Sequence, residues 1–305
     1  MPNKTLHKRI RDDLFYLLIL FQVKLLRLLP RTIAMGIMRT MGRLLFCTAR
    51  RAKKRTIKHL TMAFGDEKTP EEIQNLARGV FLHFTSALAD IIRMPNLLKS
   101  GLDELITAEG IENLDAALSG GKGAMMITAH FGNWELLGAW LAKNGYPMSV
   151  VGTSLYDPRL DKIIVETRKL AGNNFIARGK DTREIIRWLK KGKLIGMLID
   201  QDTKVRGVFV DFFGKPTYTP TGAAELARKF KLPIVPIFMR MNDDFTYHIE
   251  CGKALHQNYS DDPEQDIIDI TQKCSDTYEE IIRRHPTQWV WMHQRWKTTP
   301  ENPIP

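Results

Sequence analysis

The chain has 305 residues, of which 44% are hydrophobic and 26% charged, and Lys+Arg 45 against Asp+Glu 34 leaves a net charge of +11. That composition is ordinary for a folded globular protein and excludes a chain too small to bury a sizeable core, in one large domain or two small ones. The positive excess favours an anionic partner, whether nucleic acid, a membrane surface or an acidic protein.

Many of the positive charges lie between Lys4 and Lys58, around the most apolar part of the chain. That placement suits a membrane surface, and no zinc-finger spacing or aromatic RNA-binding signature speaks for nucleic acid as a partner. Cys47, Cys251 and Cys274 are far apart and form no C-x-x-C pair, which points to a reducing compartment and to no metal site.

Residues 1–30 read as an amino-terminal membrane anchor or interfacial helix, since Leu14 to Leu29 is almost wholly apolar and Pro30 follows. As a helix that run is roughly 24 Å long against a hydrocarbon core of about 30 Å, and Lys24 and Arg27 resist deep insertion. Spanning and lying at the interface both stay open, as does packing on the protein's own core. Residues 31–95 form a basic helical segment, densest in charge at Arg50 to Arg55. Thr69-Pro70-Glu71-Glu72 predicts a capped helix start, and the apolar spacing from Ile73 to Ile91 continues it to Met94-Pro95.

Residues 96–305 change to strands alternating with helices. Strands are predicted at 106–108, 124–129, 148–151, 194–199, 234–238 and 247–251, and helices at 111–118, 134–143, 158–171, 182–191, 222–229 and 263–284. Such alternation predicts the α/β class, a mostly parallel mixed sheet covered by helices. In open sheets of this kind, chemistry collects beyond the carboxyl ends of the strands.

Three clusters sit where that rule looks. The first is His130-Phe131-Gly132-Asn133-Trp134-Glu135, at the end of the apolar run 124–129. If the helix starts only at Asn133, the turn can bring His130 beside Glu135, and a carboxylate on the second ring nitrogen makes histidine a better base. The other reading is a core histidine with an unrelated surface glutamate. Backbone N–H groups near Gly132 and Asn133 are candidate oxyanion donors.

The second cluster is Asp200-Gln201-Asp202, again at a strand end, followed by Phe212-Phe213-Gly214 and the helix start Thr219-Pro220-Thr221-Gly222. It reads either as a cleft edge shared with His130 or as turn and capping chemistry. The third is Trp289 to Lys297, where alternating aromatics predict an extended segment with His293 and Arg295 on one face. No H-E-x-x-H, G-x-S-x-G or P-loop accompanies them. A base without a protein nucleophile points to direct attack by a substrate hydroxyl or amine.

Taken together, His130-Phe-Gly-Asn-Trp-Glu135, Asp200-Gln201-Asp202 with Phe212-Phe213-Gly214, and Trp291-Met-His293-Gln-Arg295-Trp-Lys297 resemble the bacterial lipid A biosynthesis late (secondary) acyltransferases over nearly the whole chain. The resemblance implies a glycerolipid-acyltransferase-like fold at the cytoplasmic face of the inner membrane. It implies acyl transfer from acyl carrier protein to a hydroxyl of a lipid A precursor, beside anionic inner-membrane lipids. In that picture His130 is the general base, Glu135 orients it, and Arg178 meets substrate phosphates. Asp200, Gln201, Asp202, His293 and Arg295 belong to the substrate site, and neither cofactor nor metal is called for. Gln294 and Trp296 stand where members commonly carry a second Arg and a Phe. Alternatives within reach are another glycolipid or lysophospholipid acceptor with acyl-CoA as donor, and a non-catalytic membrane lipid-binding protein of the same fold.

Overall fold

The computed structural model of the protein describes residues 6–154, 157–177, 182–257 and 259–302. Four helices come first: α1 (Leu6–Leu28), α2 (Arg31–Thr48), α3 (Arg50–Phe64) and α4 (Pro70–Lys99). Helix α4 begins as its sequence predicts. The Thr69 hydroxyl accepts the Glu72 N–H at 3.3 Å, and the Glu72 carboxylate accepts the Thr69 N–H at 2.8 Å. It runs past the expected stop, with Pro95 inside it. An interior proline costs about 3 kcal/mol, and burial of Met94 and Leu97 on either side of it works against that cost.

The α/β part follows as β1 (Ile106–Glu109), α5 (Ile111–Leu118), β2 (Ala124–Thr128), α6 (Trp134–Lys143), β3 (Met148–Gly152), α7 (Pro158–Leu170), β4 (Asn174–Ala177), α8 (Thr182–Leu189) and β5 (Leu194–Leu198). A hairpin of β6 (Gly207–Asp211) and β7 (Pro216–Pro220) precedes α9 (Gly222–Phe230), β8 (Ile234–Met241), β9 (Tyr247–Cys251) and α10 (Pro263–Arg284). Seven strands form one sheet in the order β1-β9-β8-β2-β5-β3-β4, and every neighbouring pair is parallel except β8 with β9. This is the mostly parallel mixed sheet that the alternation predicts.

Strands β4, β6 and β7 escape the sequence pattern. Strand β4 is short and polar at Asn174, and the hairpin carries prolines at both ends of β7, so neither shows a long apolar run. The carboxy-terminal segment departs from the extended form expected of it. Trp289 bridges Phe131, and turns follow.

Strands β2 and β5 are apolar but for Thr128 at the end of β2, because helices cover both faces. Met125, Ile127, Ile195 and Met197 pack toward α9 and α10, with Ala223, Ala227, Ile270 and Tyr278. Met126, Met148 and Leu194 face the other way, toward Leu114 of α5, Leu136 and Leu137 of α6, and Met94 of α4.

Helices α1 and α2 bury one side and expose the other. Leu26, Ala34, Met35 and Met38 are buried with Ala89 of α4, while Leu14, Phe15, Leu17, Leu18, Phe21, Leu28, Ile33 and Leu44 are exposed. Among the described residues, no helix is long and apolar enough to cross a membrane. Of the alternatives for residues 1–30, α1 therefore does not meet the requirement for a span.

Candidate active site

His130 stands two residues beyond the last residue of β2, and Asp200 two beyond the last of β5. Those strands are neighbours, with Thr128 opposite Leu198. The same register carried two residues further sets His130 against Asp200. The contact is direct: Asp200 Oδ1 lies 2.8 Å from His130 Nδ1, and Asp200 Oδ2 accepts the His130 backbone N–H at 2.9 Å. A third donor comes from the far end of the chain, as Trp289 Nε1–H reaches Asp200 Oδ2 at 2.8 Å.

Asp200 is fully buried. Burial opposes its ionisation, but the His130 charge and the hydrogen bonds from His130 and Trp289 outweigh it and hold the carboxyl below its ordinary range. An ionised Asp200 makes Nδ1 of His130 the protonated nitrogen, so the acceptor nitrogen is Nε2, on the ring that lines the adjoining cavity. The Trp134 ring stands edge-on to the imidazole, centroids 5.1 Å apart.

Glu135 does not hold His130. The side chain lies in the first turn of α6 and forks onto Arg168 of α7, with Arg168 Nε donating to Oε2 at 2.9 Å and Nη2 donating to Oε1. Asp200, and not Glu135, is the carboxylate in contact with His130, because a helix starting at Trp134 turns its first-turn carboxylate toward the neighbouring helix. Glu135 and Arg168 both line the cavity and tie α6 to α7 at its wall.

The turn between His130 and α6 is held from every side. Gly132 has φ +56, and a Cβ there would lie 1.6 Å from the Met239 carbonyl oxygen, so no other residue fits. Its N–H donates to the Gln288 carbonyl at 2.9 Å, and its own carbonyl is 3.2 Å from Nε2 of the partly buried His83. Burial drives the His83 pKa down to about 4 against the opposing hydrogen bond, so the ring is neutral with its proton on Nε2. The Asn133 N–H donates to the Met239 carbonyl at 3.3 Å. Gly132 and Asn133 are therefore engaged and do not serve as the oxyanion donors expected of them.

Asn133 caps α6, its Oδ1 accepting the Leu136 N–H at 3.1 Å. Its Nδ2 donates to Tyr247 Oη at 3.2 Å, and that hydroxyl donates at 2.8 Å to Asp90, which is buried and paired with Arg31 at 2.6 Å. A polar chain thus runs from the start of α2 to the cap beside the histidine.

The remaining expected site residues divide. Gln201 lines the cavity. Asp202 is buried and accepts the Thr298 N–H at 2.7 Å and the Thr298 hydroxyl at 3.1 Å, which pins the carboxy-terminal segment. His293 Nε2 is 3.3 Å from the Asp202 carbonyl oxygen, and burial lowers its pKa. Arg295 is fully buried, donating to the Tyr218 carbonyl at 2.7 Å and to the Thr219 hydroxyl at 2.6 Å. Burial lowers its pKa to about 10. The side chains of Asp202 and Arg295 are buried and hydrogen-bonded within the protein, and Asp200 lies behind His130, away from the cavity lining. Arg178 lies outside the described residues.

The cavity has a volume of about 560 Å³ and lies between the sheet and helices α4, α6 and α7. His130, Gln201 and the Glu135–Arg168 pair stand at its polar end, and Met126, Met148, Val150 and Leu198 line its depth. Such an arrangement offers one base at the mouth of an apolar recess.

The sequence profile of the family described as Bacterial lipid A biosynthesis acyltransferase matches residues 2–298. The chain belongs to that family. Among family-level relatives, the phosphatidylinositol mannoside acyltransferase of Mycolicibacterium smegmatis is 25% identical, covering 90% of this chain and 88% of its own. The lipid A biosynthesis acyltransferase of Haemophilus influenzae is 29% identical over 62% of this chain and 58% of its own. The lipid A biosynthesis lauroyltransferase of Escherichia coli is 29% identical over 63% and 62%. Within this acyltransferase family, the residues that a local reading overlooks here are Arg168, Trp289, His83 and Tyr247. Only Trp289 stands in a stretch whose composition draws the eye.

Proposed function

We propose that the protein transfers a fatty acyl chain from an acyl thioester to a hydroxyl of a glycolipid at a membrane surface, with His130 as general base. The observation that carries this reading is the His130–Asp200 pair at the mouth of an apolar cavity, in a chain of the acyltransferase family. Nε2 of His130 takes the proton from the acceptor hydroxyl as its oxygen attacks the thioester carbonyl. Asp200 keeps the proton on Nδ1 and stabilises the imidazolium. The tetrahedral oxyanion meets the Trp134 and Glu135 amides at the start of α6, which a helix leaves without intrahelical partners, and the Gln201 carboxamide. Collapse expels the thiolate, and His130 returns the proton to it. The thioester is already activated, so positioning and one base suffice.

Acyl carrier protein is the donor that the basic surface favours, with Arg50, Arg51, Lys54 and Lys58 exposed on α3 for an acidic partner. A lipid A precursor is the leading acceptor, reached from the cytoplasmic face of the inner membrane, where the exposed apolar sides of α1 and α2 lie among anionic headgroups. A phosphatidylinositol mannoside type of acceptor is the second reading, favoured by the relative matched over 90% of this chain. The rival of a non-catalytic lipid-binding protein has no use for a buried carboxylate behind a cavity-facing histidine. Mass spectrometry of lipids from a deletion strain decides among these. A missing acyl chain on lipid A supports the leading acceptor, and one missing from another glycolipid replaces it. An unchanged lipid profile, restored by nothing, removes the enzymatic reading.

A further inference from the structure

The floor of the cavity is graded in depth by the sheet register. Residues two apart on one strand share a face, so the wall below His130 falls into rows. The first pairs Thr128 with Leu198, the second sets Met126 and Val150 on either side of Gly196, and the third brings in Met148 opposite Leu194. Thr128, Leu198, Met126, Gly196, Val150 and Met148 all line the cavity. From His130 to the level of Met148 is six residues along β2, about 20 Å at strand spacing. That depth suits a long-chain acyl group laid along the strands.

Gly196 is the anomaly in this wall. Glycine weakens the middle of a strand, and its use there often marks a close approach by something else. The backbone does not demand it, because Gly196 is not among the residues with positive φ. Packing does not demand it either. A Cβ at this position would come 2.9 Å from Met148 Sδ and 3.9 Å from Val150 Cγ2, and the nearer atom belongs to a flexible side chain. Across the cavity, Gly138 of α6 also lines the recess, but a Cβ there would meet the Asn173 amide at 3.3 Å, a group held by hydrogen bonds to the Gly138 carbonyl and the Met148 N–H. Gly196 is thus a glycine that neither its φ nor rigid packing requires, facing the recess with a methionine beside it.

We propose that Gly196 and Met148 set the length of the acyl chain the protein accepts: Gly196 keeps the recess wide at mid-depth, and the Met148 thioether closes its end. This rests on the acyl-transfer reading and adds the residues that select the donor. A side chain at position 196 pushes Met148 and narrows the passage, so longer chains lose their place while shorter ones, ending above that row, keep it. Removing the Met148 side chain deepens the recess. One methylene in an apolar pocket discriminates by roughly ten-fold or more, so the change falls on the longest accepted chain.

The test uses full-length protein and the Gly196→Ala, Gly196→Val and Met148→Ala variants. Donors are acyl carrier protein and coenzyme A thioesters from decanoyl to stearoyl, and the acceptor is the lipid extract of a strain lacking the protein. Product is read by mass spectrometry, with the thermal transition of each variant recorded. The expected result is that both Gly196 variants lose the longest accepted chain by about ten-fold or more while keeping shorter ones. Met148→Ala should gain transfer of chains longer than the wild type accepts. If wild type transfers acyl chains and all variants keep its length profile, or lose every length equally, the gauge is overturned and the reaction stands. If wild type transfers none from any donor, the proposed reaction falls and the gauge with it.

Discussion

The turn at His130 and the outer faces of α1 and α2 are opposite solutions to the problem of exposed chemistry. At the turn, the backbone groups next to the histidine are tied to the rest of the fold: Gly132 to Gln288 and His83, Asn133 to Met239, and the His130 N–H to Asp200. The ring keeps one nitrogen for the cavity. On the outer faces of α1 and α2 large apolar side chains point away from the core instead, with Phe21 64% and Leu28 84% exposed. A region whose groups are tied down internally is preorganised for chemistry. A contiguous apolar surface of that extent calls for something outside the chain to cover it.

The largest expected effect lies in the first region. His130→Ala should abolish acyl transfer with little change in thermal transition, since the side chain is 27% exposed at a cavity mouth. Asp200→Asn should lower kcat by about 10²–10⁴, because an amide no longer fixes the tautomer. Glu135→Gln should cost less in kcat and show more in KM, as its partner is Arg168 at the cavity wall. The comparison between the two carboxylates is the discriminating measurement. If Glu135→Gln is the more damaging in kcat, Asp200 is a structural residue and the pairing with His130 is incidental.

These two carboxylates also mark how far the sequence speaks. The strands, the α6 start at Asn133-Trp134 and the histidine at a strand end are legible, because each is written in a few adjacent residues. Which strand lies beside β2 is not local information, so Asp200, 70 positions away, reads only as a second polar strand end. Glu135 is nearer in sequence and faces elsewhere, since the helix that begins between them rotates it away. Arg295 and Asp202 look like site residues because charge at a strand end or beside aromatics usually means exposure. Here the carboxy-terminal segment folds back and buries both. Gly196 is visible in the sequence as a glycine within an apolar strand, but its meaning appears only once Met148 is beside it.

A middle-sized effect sharpens the claim that the turn is preorganised. Burial lowers His83 to about 4, so the neutral ring is the folded form. Between pH 6.5 and 4 the unfolded chain binds a proton that the folded chain does not, and stability falls as pH falls through that window. The shift corresponds to about 3 kcal/mol. His59, also lowered to about 4 chiefly by burial and hydrogen-bonded to the Trp291 carbonyl, acts in the same direction. His83→Gln keeps an N–H donor for Gly132 but does not titrate. Thermal melts of that variant should therefore lose less stability than wild type on going from pH 7 to pH 5. Parallel curves for the two proteins would mean that His83 is already hydrated or charged in the fold, and that the turn is looser than its contacts indicate.

The smallest effect on folding tests the second region. Leu17 and Phe21 are 58% and 64% exposed and lie four residues apart on one face of α1. Replacing both with glutamate leaves core packing untouched and adds one like-charged i,i+4 pair, so stability should stay within about 0.5 kcal/mol of wild type. Membrane retention should nevertheless drop sharply, because the substitution removes apolar area and adds negative charge beside anionic lipid. Activity on a detergent-dispersed acceptor should survive, since the dyad is remote from these positions in the chain and intact. Unchanged partition of the double variant between membrane and soluble fractions would show that the exposed face is covered by something other than lipid. Loss of activity even in detergent would show instead that the two regions are coupled, with the Arg31–Asp90–Tyr247–Asn133 chain as the connection to dissect next.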